Sequence, residues 1–125
     1  MADKKKILVI DDDPDILESV KAILEANGFE AMTAISGKEG VEAYKTKKPD
    51  LILCDMMMEN VDEGSKVTHA IRQQDKKIPI YLMSSIGSAT ASNIEIDKLG
   101  FNGVFQKPLS PDSVVSSLKK ALGLK

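Results

Sequence analysis

Residues 7–14, Ile7-Leu-Val-Ile-Asp-Asp-Asp-Pro14, contain the transition that decides the fold of this 125-residue chain. Four apolar residues without polar alternation are typical of a strand that is covered on both faces in a parallel sheet. Asp13 and Pro14 then supply a helix N-cap and a first helical position that suits proline. The stretch therefore predicts a buried strand that passes directly into a helix, with carboxylates at the junction.

Four other stretches complete the predicted set of strands. Apolar runs without polar alternation at residues 51–54, 80–83 and 104–105 predict strands that are covered on both faces. Residues 30–34 mix polar and apolar side chains, which suits an edge strand with one poorly covered face. Five strands are therefore expected.

Helical patterns separate these strands. Apolar residues recur at the spacing of one helix face in residues 16–24 and again in residues 114–122. Asp13-Pro14 and Ser110-Pro111 are expected to begin these two helices in the same way, and Asn27-Gly28 is expected to end the first. Further helices are expected at residues 38–46, 65–74 and 89–99.

The alternation of short strands and helices predicts a doubly wound α/β fold. Its parallel sheet would carry helices on both faces, joined by right-handed crossovers. For five strands the expected order is 2-1-3-4-5, with a switch point between the first and third strands. Residues 1–125 are expected to form a single domain with no output domain, since only three residues follow Leu122.

Composition narrows the possible functions. The chain is 42% hydrophobic and 29% charged, as expected of a folded globular protein. Its formal net charge is −2 and its lysines fall in separate groups near Lys4, Lys47, Lys76 and Lys119, so direct nucleic-acid binding is not expected. The single cysteine, Cys54, excludes an internal disulfide, and the apolar run after residue 6 is too short for a signal peptide or a membrane span. A cytoplasmic protein without membrane contact is expected.

Polar residues stand at the carboxyl ends of four predicted strands, where ligands bind in open α/β sheets. Because neighbouring strands are about 4.8 Å apart, the acidic cluster after the first strand is expected beside Asp55, with Ser84 on the other flank. Two carboxylates about 4 Å apart repel by about 4 kcal/mol at an effective dielectric constant of about 20. The cluster therefore predicts a cation such as Mg²⁺ (or Mn²⁺), shared with a phosphoryl group. The polar residues concerned are Asp11, Asp12, Asp13, Asp55, Ser84, Ser85 and Lys107.

At these residues the sequence resembles the receiver domain of two-component response regulators, especially the stand-alone kind related to the bacterial chemotaxis regulator. The resemblance rests on four motifs, at residues 7–14, 50–58, 78–84 and 106–108. It implies a flavodoxin-like fold and a phosphorylation-activated signalling switch, not an enzyme. A histidine kinase or phosphotransfer protein would act upstream, and a protein effector that the sequence does not identify would act downstream.

The resemblance also implies roles for individual residues around a metal ion. Asp55 would accept the phosphoryl group and, with Asp12, bind Mg²⁺. The backbone carbonyl of Met57 would be a further ligand, and Asp11 would act through a bound water.

A second set of residues is implied to contact the phosphoryl group. Ser84 would be the switch hydroxyl, the backbone N–H of Ser85 would donate to the phosphate, and Lys107 would contact its oxygens. The segment at residues 84–92, which is rich in small residues, would move inward on phosphorylation.

Several positions depart from the usual pattern of that family. Glu59 and Glu63 stand where relatives usually carry proline and glycine, and Val104 stands where many carry an aromatic residue. Phe105 is expected on the opposite face of the strand from Val104. Signalling is therefore expected to depend on the loop after the fourth strand and on the fourth helix more than on an aromatic rotamer.

Three residues near these motifs have simpler structural interpretations. Asp13 is expected to cap the first helix rather than bind a metal ion. His69 is expected to be a solvated side chain, and Cys54 a small residue of the core.

Two other functions stay open at this point. A phosphatase of the haloacid dehalogenase type also combines an Asp nucleophile, Mg²⁺, a hydroxyl and a lysine, and Asp11 and Asp13 superficially fit its first motif. However, Pro14 and Asp15 do not match the residues expected next, and no second acidic pair follows the fifth strand. The third possibility is an interaction module that retains the fold but is not phosphorylated.

The side chains two residues after the acceptor and two after the switch hydroxyl predict a long-lived phosphorylated state. These residues are Met57 and Ile86, and neither side chain can orient an attacking water by hydrogen bonding. We expect slow loss of the phosphoryl group and faster loss in Met57→Asn, followed by intact mass after removal of the phosphodonor. Loss within seconds in the original protein, with no acceleration by Met57→Asn, would contradict this expectation.

Overall fold

The computed structural model describes residues 4–55, 63–85, 102–107 and 110–123, with only the backbone of residues 63–66, 84–85 and 106–107. The helix expected at residues 89–99 lies outside these ranges. The strands are β1 (Lys6–Ile10), β2 (Glu30–Ala34), β3 (Leu51–Asp55), β4 (Ile80–Ser85) and β5 (Gly103–Lys107). The described helices are α1 (Pro14–Ala26), α2 (Gly37–Lys47), α3 (Glu63–Arg72) and α4 (Pro111–Ala121).

The five strands form one parallel sheet in the order β2-β1-β3-β4-β5, which confirms the predicted topology. In its register, Ile10 at the end of β1 pairs with Ala34 of β2 and with Cys54 of β3. All strands therefore end at one side of the sheet, here called the carboxyl edge, and begin at the other, here called the amino edge.

Helices cover both faces of the sheet, each over its own apolar cluster. On one face, side chains of α2 and α3 pack against residues such as Ile52 and Leu82. On the other face, α1 and α4 pack against residues such as Val9 and Leu53. The central strand β3 is buried throughout, as its unbroken apolar run predicts.

The two edge strands are less covered than the centre. In β2, Glu30 and Thr33 are exposed, as the mixed sequence of this strand predicts. Residues 104–105 are half-buried, since β5 is an edge strand with only one neighbouring strand. Val104 and Phe105 do face opposite sides of the sheet, each packing against a different cluster, as strand alternation predicts.

Particular residues mark where the helices begin and end. Asp13 caps α1 by accepting a hydrogen bond from the N–H of Asp15 at 2.9 Å, and Pro14 is the first helical residue. Gly28 follows the helix with a φ of +88°, a left-handed conformation that glycine adopts without steric cost. Ser110 holds the corresponding position before α4, but its side chain makes no capping hydrogen bond, so the predicted similarity of the two caps is wrong in that respect.

Gly40 sets how closely α2 approaches the sheet. A Cβ atom at this position would lie 2.5 Å from Cδ1 and 2.9 Å from Cγ1 of Ile10, which is fully buried. Only glycine therefore lets α2 lie directly over the end of β1, next to Asp11.

We expect Gly40→Ala to lower the free energy of unfolding by about 1 kcal/mol, because overpacking exceeds the gain in helix propensity. The cost should shrink when Ile10→Val removes the Cδ1 atom in the same chain, and urea unfolding of the four proteins in this cycle measures both effects. Equal or greater stability of Gly40→Ala in both backgrounds would contradict the packing argument.

Candidate functional site

The register of β1 and β3 brings two acidic residues to the carboxyl edge. Asp11 directly follows β1, and its N–H donates to the carbonyl of Ala34 at 3.1 Å, so it continues the ladder toward β2. Asp55 is the last residue of β3 and directly follows Cys54, the partner of Ile10. Asp11 and Asp55 thus each directly follow one residue of the paired Ile10 and Cys54.

Three carboxylates meet at this point. Asp11, Asp12 and Asp55 each place one carboxylate oxygen within 4.8 Å of the others. Asp11 is fully buried and Asp55 is 6% exposed, whereas Asp12 is exposed. Asp13 is not a member of this cluster, because its side chain caps α1, as predicted. The acidic cluster expected from the strand ends is therefore present.

The two buried carboxylates repel each other strongly at this separation. Unit charges about 4.8 Å apart interact by about 3 kcal/mol at an effective dielectric constant of about 20. One oxygen of Asp11 accepts a hydrogen bond from the N–H of Asp13 at 3.0 Å, which offsets part of this cost. A bound cation would lower this repulsion further.

The geometry of the cluster suits a small, hard cation. Mg²⁺ binds oxygen ligands at about 2.1 Å, so two ligands on opposite sides of the ion are about 4.2 Å apart. The spread of the three carboxylate oxygens, at most 4.8 Å, exceeds that separation by only a few tenths of an ångström. Carboxylate oxygens favour Mg²⁺ or Mn²⁺ over softer metals.

Three further candidate residues, Ser84, Ser85 and Lys107, are described by their backbone only. In the sheet register Met83 pairs with Asp55, and Ser84 directly follows Met83. Ser84 and Ser85 pair with Gln106 and Lys107 in β5. The backbones of Ser84, Ser85 and Lys107 therefore lie at the carboxyl edge, on the β4 side of Asp55.

Some predicted residues lie outside the described ranges. Met57 and Glu59, in the loop after β3, are among them, as is Ile86. The predicted switch segment at residues 84–92 is described only for the backbone of its first two residues.

Two further residues have the structural roles expected of them. Cys54 is fully buried in the cluster under α2 and α3. His69 is exposed, and its Nε2 lies 2.9 Å from Nε2 of Gln73, one helical turn further along.

Sequence reasoning missed a hydrogen-bond network that fixes the start of β5. Arg72 donates to the carbonyl of Ile78 at 2.6 Å and to Oδ1 of Asn102 at 2.9 Å. The same Oδ1 accepts from the N–H of Ile80, whose carbonyl accepts from the N–H of Asn102. The one feature of the sequence that could have drawn attention to Arg72 is that it is the only arginine in the chain. The network anchors β5 to β4 and so determines where the strand delivers Lys107.

Asp75 is the acidic member of the same region. Hydrogen bonds from the N–H groups of Lys77 and Ile78, with a further one from the Tyr44 hydroxyl, lower the pKa of Asp75. Burial, reinforced by this carboxylate, raises the pKa of Tyr44. The carboxylate is therefore stabilised in its charged form by donors from α2 and from the turn before β4.

With the fold and the acidic cluster established, comparison with known proteins identifies the class. The family model for the response regulator receiver domain matches residues 7–119. The chain belongs to this family, and the family resemblance predicted from the four motifs is confirmed. Receiver domains of two-component systems act in general as phosphorylation-activated signalling switches.

Individual relatives agree with this assignment. The chain is similar to the alkaline phosphatase synthesis transcriptional regulatory protein PhoP of Bacillus subtilis, with 37% identity over 123 residues, 94% of this chain and 48% of that protein. It is 32% identical to the transcriptional regulatory protein PrrA of Mycobacterium tuberculosis, covering 94% of this chain and 49% of that one. The chain thus spans about half the length of these curated relatives.

Among solved structures, the fold is similar to that of the chemotaxis response regulator CheY4 of Vibrio cholerae. The TM-score is 0.85 at 28% identity, over 96% of this chain and 100% of that one. This agreement confirms the flavodoxin-like architecture. None of the helices in the described ranges combines the length and the apolarity that crossing a bilayer requires.

The carboxylate repulsion predicts that Asp12→Asn raises the thermal midpoint by a few degrees in metal-free buffer, because it removes one negative charge from the cluster. Mg²⁺ should raise the midpoint of the original protein and have a much smaller effect on the variant. Asp13→Asn is the matched control, because asparagine also caps helices and Asp13 lies outside the cluster. Equal responses to Mg²⁺ in both variants would exclude Asp12 from the metal site.

Proposed function

We propose that this chain is a phosphoryl-accepting signalling switch in which Asp55 takes a phosphoryl group from a histidine kinase or a phosphotransfer protein. The observation that carries the proposal is the approach of the carboxylates of Asp11, Asp12 and Asp55 to within 4.8 Å at the switch point of the sheet. Two of these carboxylates, Asp11 and Asp55, are buried, and buried like charges are costly to the fold, which is expected where they serve a ligand.

The proposed metal ligands are the carboxylates of Asp12 and Asp55 and the backbone carbonyl of Met57. Asp11 is buried behind them and already accepts one hydrogen bond, which suits a role through a bound water. A Mg²⁺ ion would neutralise negative charge on the cluster and on the incoming phosphoryl group. Mn²⁺ has the same preference for oxygen ligands.

Asp55 is the proposed nucleophile. Its carboxylate oxygen forms a bond to phosphorus as the bond between phosphorus and the donor, a histidine nitrogen or an acyl oxygen, breaks. Asp55 is the last residue of β3, so the phosphoryl group would approach from the carboxyl edge of the sheet.

Three residues on β4 and β5 would hold the product. The Ser84 hydroxyl and the backbone N–H of Ser85 would donate to phosphate oxygens, and Lys107 would balance their charge. Phosphorylation adds about one further negative charge at Asp55, which would draw the segment after β4 inward. An effector protein would recognise the new surface.

The proposal includes a signalling role without turnover of other substrates, in the cytoplasm and without direct contact to nucleic acid or membrane. A haloacid dehalogenase type of phosphatase would need the side chain of Asp13 as a second catalytic carboxylate beside Asp11. That side chain instead accepts the N–H of Asp15 as the cap of α1, which supports the switch over the phosphatase. The expected absence of an output domain stays a prediction.

A small acyl phosphate with Mg²⁺ tests the proposal directly. The intact mass of the protein should rise by one phosphoryl group, and the increase should require the divalent ion. Asp55→Asn should abolish the increase, whereas Asp13→Asn should preserve it because Asp13 lies outside the cluster.

The other two functions predict different results. Turnover of a phosphoester that survives Asp55→Asn but is lost in Asp11→Asn would establish the phosphatase. Failure of the original protein to gain mass, while it still binds Mg²⁺, would instead indicate an interaction module without phosphorylation.

A further inference from the structure

The amino edge of the sheet gathers lysines that are far apart in the sequence. Lys4, Lys5 and Lys6 precede or begin β1, and together with Lys48 and Asp50, just before β3, they line a surface concavity of about 280 Å³. The interpretation of the lysines as dispersed is therefore wrong for the folded chain, since parallel pairing of β1 and β3 brings two of the separate groups together.

A second concavity continues this surface. It has a volume of about 300 Å³, and Lys48 belongs to both concavities. Its other lining residues include Tyr44, Lys45 and Asp75, and Lys76 and Lys77 directly follow Asp75 at the turn before β4. The lysines at the amino edge thus lie beside the beginnings of three neighbouring strands, β1, β3 and β4.

The acidic residues within the two concavities are already engaged. Asp50 accepts the N–H of Lys6 at 2.8 Å, and Asp75 accepts the N–H groups of Lys77 and Ile78 at 2.9 and 3.0 Å. Within the described ranges, no hydrogen bond or ion pair engages the ammonium groups of Lys4, Lys5, Lys45 or Lys48. The residues that line the two concavities include five lysines and two aspartates, so this surface keeps a net positive charge.

The dipole of a helix accounts for the positions of only some of these lysines. Lys45 and Lys47 lie in the last turn of α2, where positive charge favourably meets the carboxyl end of a helix. Lys4 and Lys5 precede a strand, and Lys76 and Lys77 lie in a turn, so neither pair benefits from such an end.

We propose that the amino edge is a docking surface for an acidic, extended segment of a partner protein, and that it acts independently of Asp55. The distance from β1 to β4, two strand spacings, is about 10 Å, and alternate side chains of an extended segment repeat about every 7 Å. Two or three carboxylates of such a segment therefore match the row of lysines.

The same surface is poorly suited to nucleic acid. Arg72, the only arginine in the chain, is committed to Ile78, Asp75 and Asn102, so no guanidinium is available for bidentate phosphate contacts. Tyr44, which is half-buried, is the single aromatic residue that lines the two concavities, so successive bases would have no second ring there on which to stack.

Fluorescence anisotropy with a labelled oligoglutamate peptide and the full 125-residue protein tests the proposal at low salt. We expect saturable binding that Lys5→Gln with Lys48→Gln weakens about fivefold or more. Lys21→Gln with Lys38→Gln is the matched control, because it removes the same charge from exposed positions outside the concavities and should change affinity less than about twofold. Asp55→Asn should bind like the original protein.

Several results would overturn the proposal. They are the absence of saturable peptide binding, equal weakening by the two double variants, and tighter binding of a single-stranded oligonucleotide of the same length. Loss of binding in Asp55→Asn would show that the surface depends on the phosphorylation site. None of these results bears on phosphorylation itself, which the acyl phosphate experiment measures separately.

Discussion

The parallel register of β1 against β3 is the constraint on which the rest of the molecule depends. Because Ile10 lies opposite Cys54, the residues that follow each of them leave the sheet at the same level. A shift of this register by one residue would separate Asp11 from Asp55 and would also turn buried side chains toward the wrong face. The apolar, doubly covered sequences of the two strands enforce the pairing.

The fold separates charge between the two edges of the sheet. Carboxylates from strand ends concentrate at the carboxyl edge, and lysines from strand beginnings concentrate at the amino edge. A five-residue strand spans about 17 Å, which exceeds the Debye length of about 8 Å at physiological ionic strength. The charge at one edge therefore has little electrostatic influence, through the surrounding solvent, on the charge at the other.

Much of this organisation could be predicted from sequence because it follows from periodicity and strand topology. The buried runs, the cap at Asp13 and the acidic cluster each depend on local patterns or on the rule that parallel strands end at one edge. The half-burial of Val104 depends instead on how many strands flank β5. The links from Arg72 to Ile78 and Asn102, like the missing bond at Ser110, depend on tertiary geometry that no local pattern encodes.

Because Cys54 is buried, its reactivity toward thiol reagents can report local opening of the structure. This single thiol is fully inaccessible and directly precedes the proposed phosphoacceptor on β3. A thiol reagent can reach it only when the helices over that face separate from the sheet or the strand end frays. The rate of alkylation under native conditions therefore measures local opening beside Asp55, with no engineered label in the chain.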